Sequence, residues 1–300
     1  MKNKKVKVVV TGGAGFIGSN LVDALISEDF NVHVIDNLSG GKKENVNKKA
    51  KLHIADITDL KQIKPIFKKA EYVFHLAALP RVQYSIEHPK ETNEANVNGT
   101  LNVLIASKGA GVKKVVYSAS SSAYGDQKIM PLKEDMKASP KSPYGLQKHI
   151  GELYCKIFSD VYSLPTVSLR YFNVYGPRQS SEGAYALVIA KFLKQKAEGK
   201  MMTITGSGKQ TRDFTHVSDV VRANILAMKS NKVGKGEVVN IGCGNNQSIN
   251  KIAKLIGGEV AYIPARLEPK DTLADNSLAK KLLSWVPKVK IEEGVAWLKE

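Results

Sequence analysis

Three glycines spaced three apart, Gly12, Gly15 and Gly18, follow the β-branched run Lys5-Val6-Lys7-Val8-Val9-Val10 and precede an apolar helical pattern at Leu21, Val22, Leu25 and Ile26. Strand, tight turn and helix start, in that order, make a phosphate cradle. The first glycine permits the sharp turn, the second lets a backbone approach a pyrophosphate, and the third lets the helix pack on the strand. The helix N-terminus adds unpaired N–H groups and a partial positive charge. Glycine-rich turns also occur in plain loops, but the flanks here and an acid downstream favour a dinucleotide. That acid is Asp36, which ends the second strand pattern, Asn31-Val32-His33-Val34-Ile35. A carboxylate there accepts from a ribose 2′-OH and repels a 2′-phosphate, so the pattern selects NAD over NADP. A solvated acid at a strand end is the bland alternative.

A second set of residues could handle a proton. Tyr144 and Lys148 lie four apart after Ser139-Pro140-Lys141-Ser142-Pro143. On a helix started by that proline they share one face. The spacing alone is weak in so lysine-rich a chain, and it occurs twice. Tyr124 and Lys128 have it too, but they flank a Gly125-Asp126 turn where helical spacing has no meaning. Tyr144/Lys148 is therefore the functional pair and Tyr124 a lining residue. A serine cluster, Ser120-Ser121-Ser122, precedes them; a polar loop is its plain reading.

These residues need a scaffold that brings strand ends together. Further strand patterns are Lys51–Ala55 followed by Asp56-Ile57, Tyr72–Leu76 followed by Ala77-Ala78, Lys113–Ser118, and Pro165–Leu169. A long helical pattern runs from about Lys90 to Ser107 and carries Asn93, Asn96 and Asn98. Another runs from Tyr144 to about Phe158. Alternating strands and helices predict a parallel sheet whose ligands gather at the carboxyl strand ends. His75 reads as packed at a strand end. After Leu169 the alternation stops, which predicts a second, smaller lobe. There a helix should run from Tyr185 to Lys196, residues 202–217 should form a strand-turn-strand, and Val238–Gly242 should be another strand.

The 300 residues, 43% hydrophobic, can bury a large core. The formal net charge is +17. The lysines are spread along the chain without an aromatic-interleaved basic block, so no nucleic-acid partner is expected. Only six arginines occur: Arg81, Arg170, Arg178, Arg212, Arg222 and Arg266. Where positive charge is otherwise lysine, a retained arginine hints at fork geometry suited to phosphate. Cys155 and Cys243 read as buried thiols without a disulfide or metal, which fits a reducing cytoplasm. No stretch is long enough to span a membrane.

The ordered set Thr11 to Gly18, Asp36, Asp56-Ile57, His75-Leu76-Ala77-Ala78, Asn96 to Thr100, Ser118 to Gly125, Tyr144 to Lys148, Arg170 to Asn173, Arg212-Asp213-Phe214 and Ala274-Asp275 resembles the extended short-chain dehydrogenase/reductase family, and within it the nucleotide-sugar 4-epimerases. The resemblance implies an α/β fold, a Rossmann-type doubly wound parallel sheet with a smaller C-terminal substrate-binding lobe. It divides the chain into 1–169 for NAD, with 213–242 packing back onto it, and 170–300 mainly for a nucleotide sugar. It implies bound NAD held by Gly12, Gly15, Phe16, Ile17, Gly18, Asp36, Asn37, Asp56, Ile57, Leu76, Ala77, Ala78, Asn96, Ser118, Tyr144, Lys148 and Tyr171.

By the same resemblance Tyr144 takes the proton of the sugar 4-OH, Ser120 hydrogen-bonds that oxygen, and Lys148 holds the nicotinamide ribose. A free phenol is a poor base, with a pKa near ~10; Lys148 and the positive nicotinamide should lower it. The UDP-sugar falls to Ser120, Ser121, Tyr144, Asn173, Val188, Thr203, Ile204, Arg212, Arg266 and Asp271, with the diphosphate on Asn173 and the two arginines. Ser121 and Ser122 put no carboxylate beside Ser120, which argues against dehydration and decarboxylation. Thr272, small where some relatives carry a tyrosine, leaves room for N-acetylated sugars. UDP-glucose and UDP-galactose are the expected substrates, with UDP-glucuronate epimerisation or a non-catalytic NAD-binding regulator as alternatives. Relatives also imply a homodimer through the helices near 90–107 and 144–158.

Overall fold

The computed structural model describes residues 5–181, 187–265 and 270–299. Six strands, β1 (Lys7–Thr11), β2 (Asn31–Asp36), β3 (Lys51–Ile54), β4 (Tyr72–His75), β5 (Lys114–Ser120) and β6 (Thr166–Tyr171), join the strand Lys235–Ile241 in one parallel sheet. The order is Lys235–Ile241, β6, β5, β4, β1, β2, β3. The chain runs outward from β1 to β3 and then crosses to β4 on the other side of β1. The reversal opens a crevice between the carboxyl ends of β1 and β4.

Both faces of the sheet are covered, which is why its strands read as continuous apolar runs. Val8 and Val10 pack with Leu21, Leu25, Phe74 and Trp285 on one face. Val9, one residue out of phase, packs with Ile35, Val73, Val115 and Phe158 on the other. A separate core of Ile189, Phe192, Ile204, Phe214, Ile252 and Val295 builds the smaller lobe.

Several expectations shift. The pattern from Lys90 to Ser107 is three pieces: helix Pro89–Asn93, a π-helical turn Glu94–Asn98, and helix Gly99–Ala110. Such turns occur often at functional sites, and this one carries Asn96. The helix that opens with Pro143-Tyr144 runs to Tyr162, with Ser142 Oγ accepting from Gly145 N at its start.

Residues 202–217 hold strand, turn and strand as expected, but these strands do not pair with one another. Met202–Thr205 pairs in parallel with Val260–Ile263, Thr211–Asp213 antiparallel with Asn246–Ser248, and Thr215–His216 in parallel with Val174–Tyr175. Their partners lie far away in sequence, so local pattern could not find them. Tyr185 and Arg266 lie outside the described residues. Among those described, no helix is long and apolar enough to cross a membrane.

Candidate active site

The glycine turn is built as its spacing requires. Gly12 has φ +73°, and a Cβ there would lie 2.6 Å from Ala77 N, at the end of β4. A Cβ on Gly18 would sit 2.1 Å from Gly12 O, so helix Phe16–Ser27 can approach the strand only with glycine here. Gly15 is different: its Cβ would meet only Gly12 O, at 3.3 Å. That contact is tight but far less severe than at Gly12 or Gly18, so the turn and the helix packing rest mainly on the other two glycines. No side chain caps the helix at Gly15 and no acid stands in its first turn. That end is suited to an anion.

Asp36 stands beside this turn, 8% exposed. Its Oδ2 accepts from Ala14 N at 2.9 Å and its Oδ1 from Leu38 N at 2.8 Å. The carboxylate thus shapes the turn and keeps a further lone pair on each oxygen for a ribose hydroxyl. Asn37 donates to Asp56 at 2.7 Å. Burial works to raise the Asp56 carboxyl, but hydrogen bonds from Thr58 and Asn37 outweigh it and bring the pKa down. Ile57 is buried, whereas Leu76, Ala77 and Ala78 are half-buried along the crevice. Asn96 is fully used inside the protein: its Oδ1 accepts from Leu79 N at 2.8 Å, and its Nδ2 donates to Leu79 O and to Gln147 Oε1 on the helix of Tyr144. Asn96 therefore ties the segment after β4 to the π-helical turn and to Gln147. Glycine turn, acid and uncapped helix fit a dinucleotide.

Across the crevice stand Tyr144 and Lys148. Lys148 Nζ donates to Ser118 O at 2.7 Å. Burial takes its ammonium down to about 8, against the opposing pull of Cys155 and Glu152. Burial pushes the Tyr144 phenol up to about 12, and Ser120 is the group that counters it by a side-chain hydrogen bond. Of the two positive groups expected to lower the phenol, Lys148 turns its ammonium to the strand end and is not among the groups acting on Tyr144 here; the other is the nicotinamide. The phenol needs a further positive charge to become a base. Ser120 Oγ also bonds Ser122 Oγ at 3.1 Å. Tyr144 N donates to Ser85 Oγ at 3.0 Å, so the fully buried Ser85 satisfies an N–H of the first helical turn. Nothing in the sequence singled out Ser85.

Tyr124, expected as a lining residue, and Tyr171, expected to hold NAD, are both buried in the core. Tyr124 is 0% exposed, its hydroxyl donates to Asn240 at 2.7 Å, and its ring lies against Arg170. Tyr171 is buried with its hydroxyl on Asn224. An aromatic near a site motif in sequence need not face the site: Tyr171 lies on β6, where alternation sends every second side chain to the other face, and Tyr124 follows the turn Ser121–Ala123, whose direction local spacing does not give.

The smaller lobe brings Asn173, Arg212, Asp271 and Thr272 together. Asn173 Nδ2 donates to Thr272 Oγ1 at 3.2 Å. Thr211 Oγ1 donates to Asp271 at 2.6 Å, and Arg212 Nη1 donates to Thr211 O at 2.8 Å. Asp213 beneath them accepts from the N–H groups of Cys243, Gly244 and Ala274. Thr203 bonds Gln195, and Val188 packs partly buried on the lobe's core. Ile204 is 1% exposed inside that core, so it does not line an open pocket. Cys243 is half-buried rather than buried.

Scarcity did not mark arginines for phosphate uniformly. Arg170 grips Glu152 with two bonds of 2.7 Å, Arg178 pairs with Asp23, and Arg222 with Asp219. Removing one partner of the buried Arg170–Glu152 pair would cost about 3–5 kcal/mol.

Residues 8–242 match the model of the NAD dependent epimerase/dehydratase family. The chain is 38% identical over 305 residues to a putative UDP-glucose 4-epimerase of Methanocaldococcus jannaschii, covering 97% of this chain and 98% of the relative. The crystal structure of UDP-glucose 4-epimerase from Thermotoga maritima with UDP-glucose shares 41% identity at a TM-score of 0.92, over 97% and 96% of the two chains. UDP-N-acetylglucosamine 4-epimerase from Methanobrevibacter ruminantium M1, in complex with UDP-N-acetylmuramic acid, shares 41% at 0.93, over 98% of both. The chain belongs to the NAD-dependent epimerase/dehydratase family. Its cofactor is NAD, and its fold is that of the UDP-sugar epimerases.

Proposed function

We propose that the protein inverts C4 of a UDP-sugar, interconverting UDP-glucose and UDP-galactose through a transient 4-keto sugar. The observation that carries this reading is the placement of Ser120, Tyr144 and Lys148 across one crevice from the glycine turn. Residues 1–169, with 213–242, hold the cofactor through the glycine turn, Asp36 and the ends of β3 to β5. Residues 170–300 mainly hold the nucleotide sugar.

NAD supplies an acceptor and later a donor for the C4 hydride. Tyr144 takes the 4-OH proton as that hydride leaves and returns it when reduction occurs on the other face. Ser120 hydrogen-bonds the same oxygen and fixes its position. The oxidised cofactor's positive charge favours the phenolate that burial alone disfavours. Lys148 holds the nicotinamide ribose. Asn173, Arg212 and Arg266 anchor the diphosphate while the sugar turns over, and the guanidinium fork of Arg212 suits phosphate oxygens. Asp271, Val188 and Thr203 serve the nucleoside. Thr272 presents a small side chain, which supports acceptance of N-acetylated sugars.

A homodimer fits the exposed apolar stripe Leu146, Leu153, Ile157 and Val161 on helix Pro143–Tyr162, with Ile105 exposed on helix Gly99–Ala110. Two unpaired cysteines suit a cytoplasmic setting. The test is incubation of purified protein with UDP-glucose, UDP-N-acetylglucosamine and UDP-glucuronate without added NAD, resolving C4 epimers. Turnover of UDP-glucuronate alone would replace this substrate reading, and no turnover of any would leave a non-catalytic NAD-binding protein.

A further inference from the structure

Thr11, His75 and Tyr117 stand in register across β1, β4 and β5, and all three are at most 1% exposed. The hydrogen bonds through this row have directions that its ends dictate. Thr100 Oγ1 lies 2.6 Å from Asn96 O, which can only accept, so the Thr100 hydroxyl donates there. His75 Nε2 lies 2.9 Å from the same Thr100 oxygen. That hydroxyl proton is already committed, so Nε2 must carry the proton and donate. The neutral ring's Nδ1 is then an acceptor, and Thr11 Oγ1, at 2.7 Å, donates to it. Thr11 Oγ1 in turn accepts from Ala77 N at 3.3 Å.

The row joins the two catalytic walls. One end is Thr11 and Ala77, which flank Gly12 at the mouth of the dinucleotide crevice. The other is Asn96, on the π-helical turn and bonded to Leu79, and Thr100 just beyond that turn. Tyr117, whose ring tilts against His75 at 5.5 Å, lies beneath the Lys148 ammonium, 5.0 Å from the ring centroid.

We propose that His75, held as the neutral tautomer protonated on Nε2, is a positioning residue that ties the NAD-binding turn to the platform under Lys148. The groups facing it favour the neutral ring. Burial takes its pKa down to about 3, and the charged neighbour Lys148 pushes the same way. A second ring proton would also point at the Thr11 oxygen and take away the acceptor of that hydroxyl's own proton.

The test uses the whole protein with histidine labelled by 15N, the His75 signal being assigned by its loss in His75→Phe. The ring should show protonated Nε2 and unprotonated Nδ1, unchanged down to pH 5. His75→Phe keeps a planar ring but removes both bonds, and Thr100→Val breaks the chain with the imidazole in place. Each should weaken NAD binding about tenfold, the effect of leaving one buried polar group unpaired. If His75→Phe does not fold, Thr100→Val carries the measurement. An Nδ1-protonated ring, or NAD affinity within about twofold of the parent in the folded variants, overturns the proposal. The inference rests on the crevice being the NAD site. Failure of the unmutated protein to bind NAD would sink that reading, while the tautomer would still be read directly.

Discussion

The Lys148 ammonium donates to the Ser118 main-chain carbonyl at 2.7 Å, which pins the helix Pro143–Tyr162 to the end of β5 one turn beyond Tyr144. One of the three ammonium N–H groups is used by this bond, which leaves two for a further partner. Tyr144→Phe should leave this anchor and the NAD cleft intact. It should lower kcat about a thousandfold, the scale of a lost general acid–base group, and retain bound NAD by absorbance and mass analysis. Unimpaired turnover would remove Tyr144 from the mechanism.

The buried lysine also has a pH signature. Its pKa falls from 10.5 unfolded to about 8 folded, so the folded protein binds fewer protons between those values. Stability of the NAD-free protein should therefore rise with pH across the lower part of that window, contributed by this group. Urea unfolding between pH 8 and 9.5 should show a shallower rise for Lys148→Met than for the parent. Equal slopes would mean that Lys148 is not titrating there.

Arg212 tests the substrate anchor. Arg212→Lys keeps the charge but loses the planar fork. KM for the UDP-sugar should rise about tenfold, the scale of one charged hydrogen bond, with kcat and NAD content less affected. An unchanged KM would place the diphosphate elsewhere.

Thr272 tests sugar choice. Thr272→Tyr adds bulk beside Asn173 and should lower kcat/KM for UDP-N-acetylglucosamine by about tenfold or more relative to UDP-glucose, a size-exclusion effect. Equal losses for the two sugars would show that this position does not discriminate.

The apolar helix face tests assembly. Leu153 and Ile157 are 53% and 50% exposed. Leu153→Glu with Ile157→Glu should convert a dimer to a monomer in sedimentation without changing helix content. A parent protein that already sediments as a monomer would refute the interface.

The strand–glycine–helix opening, Asp36 and the proline-started helix carrying Tyr144 and Lys148 were legible because each depends on residues close in sequence. Backbone sterics and helical period act over one turn, and the same short-range rules apply in any fold. The π-helical turn at Asn96, the core burial of Tyr124, Tyr171 and Ile204, and the pairing of Thr211–Asp213 with Asn246–Ser248 were not legible. They are set by which distant segment packs against which.

The arginines show the same division. Composition marked all six as unusual, but only packing put Arg170 on Glu152 and left Arg212 beside Asp271 and Thr272. The protonation of His75 is the furthest case. Its residue type allows either tautomer, and the choice is made by two threonines and a carbonyl that tertiary packing brings to its two sides. The sequence by itself determined a parallel α/β sheet with a dinucleotide turn and a Tyr–Lys pair, because those signals are local. Only the tertiary structure decided which side chains face the crevice and where each proton sits, because burial and hydrogen-bond partners come from residues far apart in the chain.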